Sequence, residues 1–468
     1  AVFVLPARRC VPGPALRAHI AVMRPRWMYF AYFSFRAVSI GRFSSVFYLD
    51  RGVDPSEMGV LFSGDALISI VATGFLTTRV DKQLADGILH ARENAIRMCF
   101  ALSTVAFCSQ CVIDLGFAVP RSLVLMGSRW FNAVAFSPCM PIIDAHTLSI
   151  LSGDRGRFGE ERLYGAVSWA VVNMALGVLM DIFGTWIMYI GTLAFGCATV
   201  VMMGAVSSPG HMQLPKSIPD GGESPTTAKR GVGSANVSGR ELLLKYLRSP
   251  QIFSFLFAIF CLGMGMSLVE NLLFLLFKQD MGSSNTLCGL SVVVTVAFEI
   301  PIFWVGKRLL GYLGPTVLFT IGQLCYVVRA VGYTLCPNGW CVIAFEPLHG
   351  VTYGCVALAS VEYIAAVTPH ELLTTGQGIK SAVQTGMGYF LGTLSGGLII
   401  DAFGEKVLYR GAASLVLLGI VLYLHGRSLP DDTVCDSAAV VGHATLGKAR
   451  YAAAEGDTND FAMPPETP

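Results

Sequence analysis

The chain of 468 residues is 53% hydrophobic and only 14% charged, and its mean hydropathy is +0.60. Soluble domains carry about 25% charged residues, so this composition excludes an ordinary soluble domain and indicates a membrane protein. The formal net charge of +2 is too small to indicate a nucleic-acid partner, and the basic residues form no patch interleaved with aromatic residues.

Twelve apolar runs follow one another along the chain. Each has the roughly twenty residues that a helix needs to cross a hydrocarbon core. The runs, which we call spans 1 to 12, begin near Trp27, Glu57, Asn94, Pro120, Leu163, Gly184, Pro250, Thr286, Pro315, Trp340, Gly376 and Val407. The sequence therefore predicts an all-α membrane protein with 12 transmembrane helices.

Changes in composition divide the chain into five parts. Residues 1–24 contain several arginines and no acid, which predicts a basic N-terminal tail or, alternatively, a transit segment. Residues 25–206 and 250–425 each contain six spans and predict two six-helix bundles. Between them, residues 207–249 are rich in Pro, Gly, Ser and Thr and predict a flexible cytoplasmic linker. Residues 426–468 are polar and predict a disordered C-terminal tail.

The two halves also share a weak repeat, because the links after spans 2 and 8 are both basic and contain glycine. Two related bundles with a solute site between them are typical of transporters in which the bundles rock. Lys and Arg are concentrated in the tails, the linker and the links after even-numbered spans, whereas the other side has only Arg51, Arg121, Lys278, Lys406 and Arg410. The positive-inside rule therefore predicts that both termini are cytoplasmic.

One polar stretch, residues 138–177, joins spans 4 and 5 and contains Asp144, Arg162 and Trp169. Arg162 and Trp169 are seven residues apart and therefore share one face of a helix. Arg donates from a planar fork, Asp accepts, and Trp offers an apolar face, so the three suit a polar, ring-shaped solute. A salt bridge in the loop beside an interfacial Trp is the alternative that this stretch leaves open.

Ionisable residues also lie inside the spans of the second half: Glu270 in span 7, Glu299 in span 8, Arg329 in span 9, and Glu346 and His349 in span 10. Such residues are costly in a bilayer and usually face a partner or a wet cavity. Glu346 and His349 are three apart and share a helix face. A carboxylate near Arg and His suits proton loading, although a charge cluster that only fixes the helices together is the alternative.

Span 1 contains two further arginines, Arg36 and Arg42. They are six positions apart and lie on different faces, so at least one is expected to line the cavity. A strongly polar or anionic substrate would explain them, and so would pairing with Asp65 of span 2. We expect Arg36 to contact the substrate and Arg42 to be structural.

The other motifs of the chain exclude several functions. No nucleotide-binding loop, zinc signature or nucleophile elbow is present, so neither ATP-driven pumping nor catalysis is supported. We expect no metal and no cofactor other than a coupling proton. Cys336 and Cys341 bracket the short turn between spans 9 and 10, where free thiols are favoured over a disulfide.

Several segments resemble the lactose permease-like branch of the major facilitator superfamily. They include PIIDA around Asp144, FGEERLYGAVSWA from Phe158 to Ala170, RSP at the start of span 7, VVRAVG in span 9 and PLHG in span 10. The segments ENLLFLLF, AFEIPIF and EPLHGVTYG are similar to orphan relatives of that branch. The resemblance covers roughly residues 26–424 and implies two pseudo-symmetric six-helix bundles, with Asp144, Arg162 and Trp169 at the positions that hold the sugar.

The same resemblance bears on proton coupling. Arg329 and His349 match the Arg and His of the family's spans 9 and 10, and Glu270 matches its span 7 acid. The proton-carrying Glu of the family is Thr352 in this chain, and Glu346 stands where the family has a Lys that pairs with the span 7 acid. Two acids are therefore expected to face Arg329, with the proton site either relocated or lost.

Together these observations predict a secondary active transporter. We expect proton-coupled symport of a small polar solute, sugar- or nucleoside-like, by a monomer in a lipid bilayer. An uncoupled facilitator and a non-transporting receptor or interaction protein are the alternatives, since fold does not fix function.

Overall fold

The computed structural model describes residues 25–86, 88, 90–117, 120–151, 158–206, 239–368 and 373–430. Within these ranges the regular secondary structure is helical. The predicted N-terminal tail, residues 207–238 of the predicted linker and residues 431–468 of the predicted C-terminal tail lie outside the described residues.

Spans 1 to 6 form the first bundle, and short links make consecutive spans antiparallel. Their helices are Pro25–Ser39 and Phe43–Asp50 (span 1), Pro55–Ala85 (span 2), Ala91–Cys108 and Cys111–Asp114 (span 3), Arg121–Phe136 and Cys139–Leu151 (span 4), Phe158–Phe183 (span 5), and Ile187–Val206 (span 6).

Spans 7 to 12 form the second bundle. Helix Asn285–Leu335 contains both span 8 and span 9, and it is interrupted at Gly314, whose φ of 72° is not helical and which precedes Pro315. The remaining helices are Pro250–Leu275 with the π-helical turn Leu276–Asp280 (span 7), Gly339–Val367 (span 10), Leu373–Ser381, Ala382–Gly388 and Tyr389–Phe403 (span 11), and Glu405–Ser428 (span 12).

Eight helices of the described residues are long and apolar enough to cross a membrane, and Ile187–Met203 is a shorter apolar helix. Spans 1, 3 and 4 are each divided into two pieces, and the middle of span 11 is π-helical. Proline explains the break in span 4, because Pro138 has no backbone N–H and cannot continue the helical ladder. The chain is an all-α integral membrane protein with its predicted spans in the predicted order.

The predicted flexible linker differs from the structure at its end, where Gly239–Arg248 is a helix. Its sequence, GRELLLKYLR, is amphipathic, and Leu242 and Tyr246 are fully buried. The Tyr246 hydroxyl hydrogen-bonds the Thr368 hydroxyl. Burial of this apolar face outweighs the polar composition of the rest of the segment, which is why composition alone gave the wrong prediction for these residues.

The links after odd-numbered spans lie together on one side of the molecule. There Arg51 of span 1 forms an ion pair of 2.5 Å with Asp114 of span 3. Cys336 and Cys341, with Cα atoms 5.3 Å apart, form a disulfide across the link between spans 9 and 10, which corrects the expectation of free thiols. We call this side the far side, and the side where span 1 begins and span 12 ends the tail side.

Spans 8 and 10 pack against each other at Gly350. A Cβ atom at this position would lie 2.5 Å from the Thr295 carbonyl oxygen and 2.7 Å from the Glu299 backbone nitrogen. Only glycine permits this approach. The contact fixes the depth of Glu299 relative to Glu346 and His349, which lie one turn from Gly350 or less.

Gly350→Ala is expected to lower the thermal unfolding midpoint of the detergent-purified protein. The added methyl group meets backbone atoms that cannot rotate away, and overpacking of this kind costs about 1–3 kcal/mol. Gly411→Ala is the matched control, since nothing lies within 4 Å of a Cβ there and alanine favours an exposed helix by about 0.5–1 kcal/mol. Equal midpoints for the two variants would contradict the proposed contact.

Candidate solute and proton site

Asp144 and Arg162 belong to one cluster in the first bundle. The Tyr29 hydroxyl of span 1 donates a hydrogen bond of 2.6 Å to Asp144 Oδ1. Arg162, in the first turn of span 5, interacts electrostatically with both Asp144 and Tyr29. The break at Pro138 precedes the helix that carries Asp144, Cys139–Leu151, which packs against spans 1, 3 and 5.

Trp169 forms the aromatic part of this cluster. The Arg36 guanidinium carbon lies 5.5 Å from the centroid of the Trp169 ring, and the Phe33 ring meets Trp169 edge to face with centroids 6.3 Å apart. Tyr29, Phe33 and Arg36 are spaced i, i+4 and i+7 and share one face of span 1. Among the described residues Arg36 has no hydrogen bond or ion pair, so its donors are free for another acceptor.

Arg162 also faces the second bundle. Its side chain is exposed, and it interacts electrostatically with Tyr353 of span 10 and Glu299 of span 8. Glu299 is half-buried and, within the part of the chain that the structure describes, has no hydrogen bond to its carboxylate and no ion pair within 4 Å. The four residues predicted to bind the solute therefore lie in one region of the first bundle, and Arg162 lies near polar groups of the second bundle.

A second cluster crosses between the bundles at Arg42. Arg42 Nη2 lies 2.9 Å from Glu270 Oε1 and 2.9 Å from His349 Nε2, and the last two atoms are 3.4 Å apart. Arg42 belongs to the first bundle, whereas Glu270 and His349 belong to the second. The guanidinium, the carboxylate and the imidazole thus contact one another across the seam, by which we mean the surface where the two bundles meet.

Arg329 lies on the other side of the same imidazole. Its guanidinium is fully buried, contacts His349 Nδ1, and lies 5.3 Å and 5.6 Å from the ring centroids of Tyr326 and Tyr333. A neutral imidazole has one acceptor nitrogen. A neutral His349 therefore accepts a hydrogen bond from Arg42 in one tautomer or from Arg329 in the other, but not from both at once.

Glu346 has only neutral partners. It is fully buried and accepts a hydrogen bond of 2.6 Å from the Thr295 hydroxyl and another from the Tyr333 hydroxyl. In the described ranges no cation lies within 4 Å of its carboxylate. Thr352, one turn beyond His349, is buried, and no described residue hydrogen-bonds its hydroxyl.

One expectation about these charges is wrong. Asp65 does not pair with Arg42: it forms an ion pair of 2.6 Å with Arg129 of span 4, inside the first bundle. The acids also do not pair with Arg329, because Glu270 is held by Arg42 while Glu346 is held by hydroxyl groups. For Asp65 and Glu270 the nearest cation comes from a helix that adjacency in sequence does not identify.

Two tyrosines that sequence analysis did not select connect the clusters. Tyr353 lies near Glu299, Arg162, Glu270 and Arg36, and Tyr389 of span 11 lies near Glu270, Arg36 and Arg42. A tyrosine within a span, away from the membrane interface, is the signal that would have found them.

This set of side chains supplies guanidinium and hydroxyl donors, carboxylate acceptors and aromatic faces. In the described part of the chain no three His, Cys, Asp or Glu residues are grouped so that they would hold a metal ion. The arrangement is suited to grip a polar solute and to move a proton among carboxylates.

The chain is similar to known transporters. The model of the MFS_1 like family matches residues 23–411. The chain is 23% identical to a maltose permease of Geobacillus stearothermophilus over 62% of this chain and 68% of the permease. It is 24% identical to a probable 3-phenylpropionic acid transporter of Escherichia coli over 82% of this chain and 93% of that protein. Its fold is similar to that of the nucleoside transporter NupG, with a TM-score of 0.69, 12% identity, and coverage of 88% of this chain and 100% of NupG.

Arg42→Ala is expected to destabilise the protein more than Arg42→Ala combined with Glu270→Ala. The single change leaves Glu270 uncompensated, which costs about 3 kcal/mol for a buried pair; the 22% exposure of the Glu270 side chain moderates that cost. The measurement is a double-mutant cycle on unfolding in detergent. The exposed pair Arg121–Glu57, at 3.3 Å, is the control and should show a coupling of about 1 kcal/mol or less. Additive effects at Arg42 and Glu270 would refute the pairing.

Proposed function

The chain belongs to the MFS_1 like family of major facilitator transporters, and we propose that it carries out proton-coupled symport of a small polar solute, sugar- or nucleoside-like, by alternating access. The proton is the only coupling species in this proposal, and the working unit is a monomer in the bilayer. The charge asymmetry of the links favours cytoplasmic termini, so that the tail side is the cytoplasmic side.

The observation that carries the proposal is the position of Arg162 between the bundles. Arg162 lies with Asp144 in the first bundle and faces Glu299 in the second. The Trp169 ring and the unpaired Arg36 lie next to each other in the first bundle. A solute with several hydroxyl groups would exchange hydrogen bonds with the guanidinium and carboxylate groups and pack a ring face on the indole.

Glu299 connects the solute to the proton. When its carboxylate is ionised, it attracts Arg162 and competes with the solute for the same guanidinium. When it is protonated, that competition ends and the solute binds more tightly. Binding of proton and solute is then mutually favourable, as linkage between two ligands requires.

The second cluster, Arg42 with Glu270 and His349, connects proton binding to movement of the bundles. Arg42 holds Glu270 across the seam, so rocking of the bundles must break or exchange this ion pair. A proton on Glu270 would release Arg42, and His349 is placed to replace the carboxylate as its partner. Arg329 holds the His349 ring by direct contact, and Glu346 holds the neighbouring Tyr333 by accepting a hydrogen bond from its hydroxyl.

Solute flux into proteoliposomes tests the proposal directly. Radiolabelled maltose, uridine and 3-phenylpropionate are suitable first probes, followed by a wider panel of sugars, nucleosides and small acids. We expect an inward proton gradient to drive accumulation of at least one of them. Flux that does not respond to the gradient would favour an uncoupled facilitator, and neither flux nor thermal stabilisation by the whole panel would favour a receptor.

Glu299→Gln is expected to separate binding from coupling. In the parent protein solute affinity should fall as pH rises, because the ionised Glu299 attracts Arg162. The amide carries no charge at any pH, so the variant should bind tightly and without that pH dependence, exchange solute across the membrane, and fail to accumulate it. The readouts are binding as a function of pH, counterflow and gradient-driven uptake.

Glu362→Gln is the control for this experiment, since Glu362 is an exposed carboxylate at the tail-side end of span 10. It should leave the pH dependence of binding and the accumulation of solute unchanged. A Glu299→Gln protein that still accumulates solute against a gradient would remove Glu299 from the coupling mechanism.

A further inference from the structure

A carboxylate of the first bundle caps a helix of the second bundle on the far side. Asp181, near the end of span 5, accepts hydrogen bonds of 2.8 Å and 2.7 Å from the backbone nitrogens of Asn285 and Thr286, and one of 2.6 Å from the Thr286 hydroxyl. These nitrogens are the first of span 8, where backbone donors have no partner within their own helix.

A carboxylate of the second bundle does the same in the opposite direction. Asp401, near the end of span 11, accepts a hydrogen bond of 3.0 Å from the backbone nitrogen of Ser56. Ser56 is the second residue of the span 2 helix Pro55–Ala85. Each bundle thus caps one helix of the other.

The two contacts are equivalent in sequence. Span 5 ends in Gly177-Val-Leu-Met-Asp181-Ile-Phe-Gly184, and span 11 ends in Gly397-Leu-Ile-Ile-Asp401-Ala-Phe-Gly404. Both segments place the acid four residues after one glycine and three before another. The final glycines have similar positive φ values, 83° at Gly184 and 79° at Gly404, which end both helices in the same way.

The two helix contacts next to these acids, between spans 5 and 8 and between spans 11 and 2, are equivalent as well. A Cβ on Gly177 would overlap the Asn285 carbonyl oxygen, and a Cβ on Gly397 would overlap that of Pro55. On the facing helices, a Cβ on Gly289 would lie 2.7 Å from the Asn173 oxygen, and one on Gly59 would lie 3.0 Å from the Thr393 oxygen. Backbone therefore meets backbone at both seams, and the acids close their far-side ends.

These caps are present when the far side is closed and absent when it is open. A hydrogen bond to a charged group is stronger than a neutral one, and a carboxylate is favoured at a helix N-terminus by the helix dipole. Each cap joins residues of different bundles, so it exists only while its seam is closed. Opening the far side loses both caps together and leaves the backbone nitrogens of Asn285, Thr286 and Ser56 without these carboxylate acceptors.

We propose that Asp181 and Asp401 are paired latches that hold the far side closed, and that both must release before the bundles open there. This inference rests on the alternating access of the proposed function. The two acids are positioning residues rather than binding residues, because both lie at the far-side ends of their spans, while the solute cluster at Arg162 begins at the tail-side end of span 5. Their strength sets how often the far side opens before any solute or proton acts.

Hydrogen exchange of the full-length protein in nanodiscs tests the latches without any solute. Backbone amides exchange when their region opens, so exchange rates report the open population. In Asp401→Asn, amides at the start of span 8, residues 285–289, should exchange about tenfold faster although Asp401 does not touch them. In Asp181→Asn, amides of residues 56–59 at the start of span 2 should do the same.

The cross-seam effect separates a latch from a local cap. If each variant speeds exchange only in the segment that its own carboxylate touches, the paired-latch proposal is wrong. Asp114→Asn is the control: it removes a far-side carboxylate whose partner, Arg51, belongs to the same bundle, so neither seam should change. Asparagine keeps an acceptor oxygen, and an unchanged thermal unfolding midpoint shows that the variants are folded.

The outcome is independent of the symport proposal. Exchange at the seams needs no flux, so a protein that transports none of the probes can still show or lack the coupled opening. Conversely, normal proton-driven uptake with uncoupled seams would overturn the latches and leave symport intact.

Discussion

The dominant constraint on this molecule is the cost of placing charge in a hydrocarbon layer. Each interior charge meets that cost in one of three ways. Asp65 takes an ion pair inside its own bundle, Glu270 takes one across the seam, and Arg162 keeps an exposed side chain. Glu346 and Arg329 are exceptions: both are fully buried, and among the described residues Glu346 accepts from two hydroxyl groups while Arg329 contacts the His349 imidazole. These solutions determine which helices are fixed together and which contacts a moving seam has to give up.

Contacts within a bundle and contacts between bundles are made by different means. Asp65–Arg129 and Arg51–Asp114 join spans of the same bundle and need not change if the bundles move as units. Arg42–Glu270 and the helix caps at Asp181 and Asp401 join different bundles. A rocking motion therefore breaks these polar contacts and moves the glycine-lined backbone surfaces of the two bundles past each other.

The spans, their order and the cluster of Asp144, Arg162 and Trp169 were all predictable, because apolar length and a dense local motif are recorded within short stretches of sequence. The partner of Arg42 was not. Arg42 and Glu270 are 228 positions apart, and only the packing of the two bundles brings them together. Asp65 was a candidate partner of Arg42 because it lies in the next span, but helix packing pairs Asp65 with Arg129. The segments ending in Gly184 and Gly404 are alike in sequence. Sequence analysis did not select them, because only the packing of the bundles brings the acid of each segment to a helix of the other half.

The two kinds of cross-seam contact differ in what can change them. The caps at Asp181 and Asp401 use backbone donors, whose number and strength are fixed, so they contribute a constant bias toward a closed far side. The contact at Arg42 uses a carboxylate and an imidazole, whose partners change with each proton. A ligand shifts a conformational equilibrium only by its differential affinity for the two states. Protons and solute can therefore act at the central contact, while the caps determine how large that action must be before the seam opens.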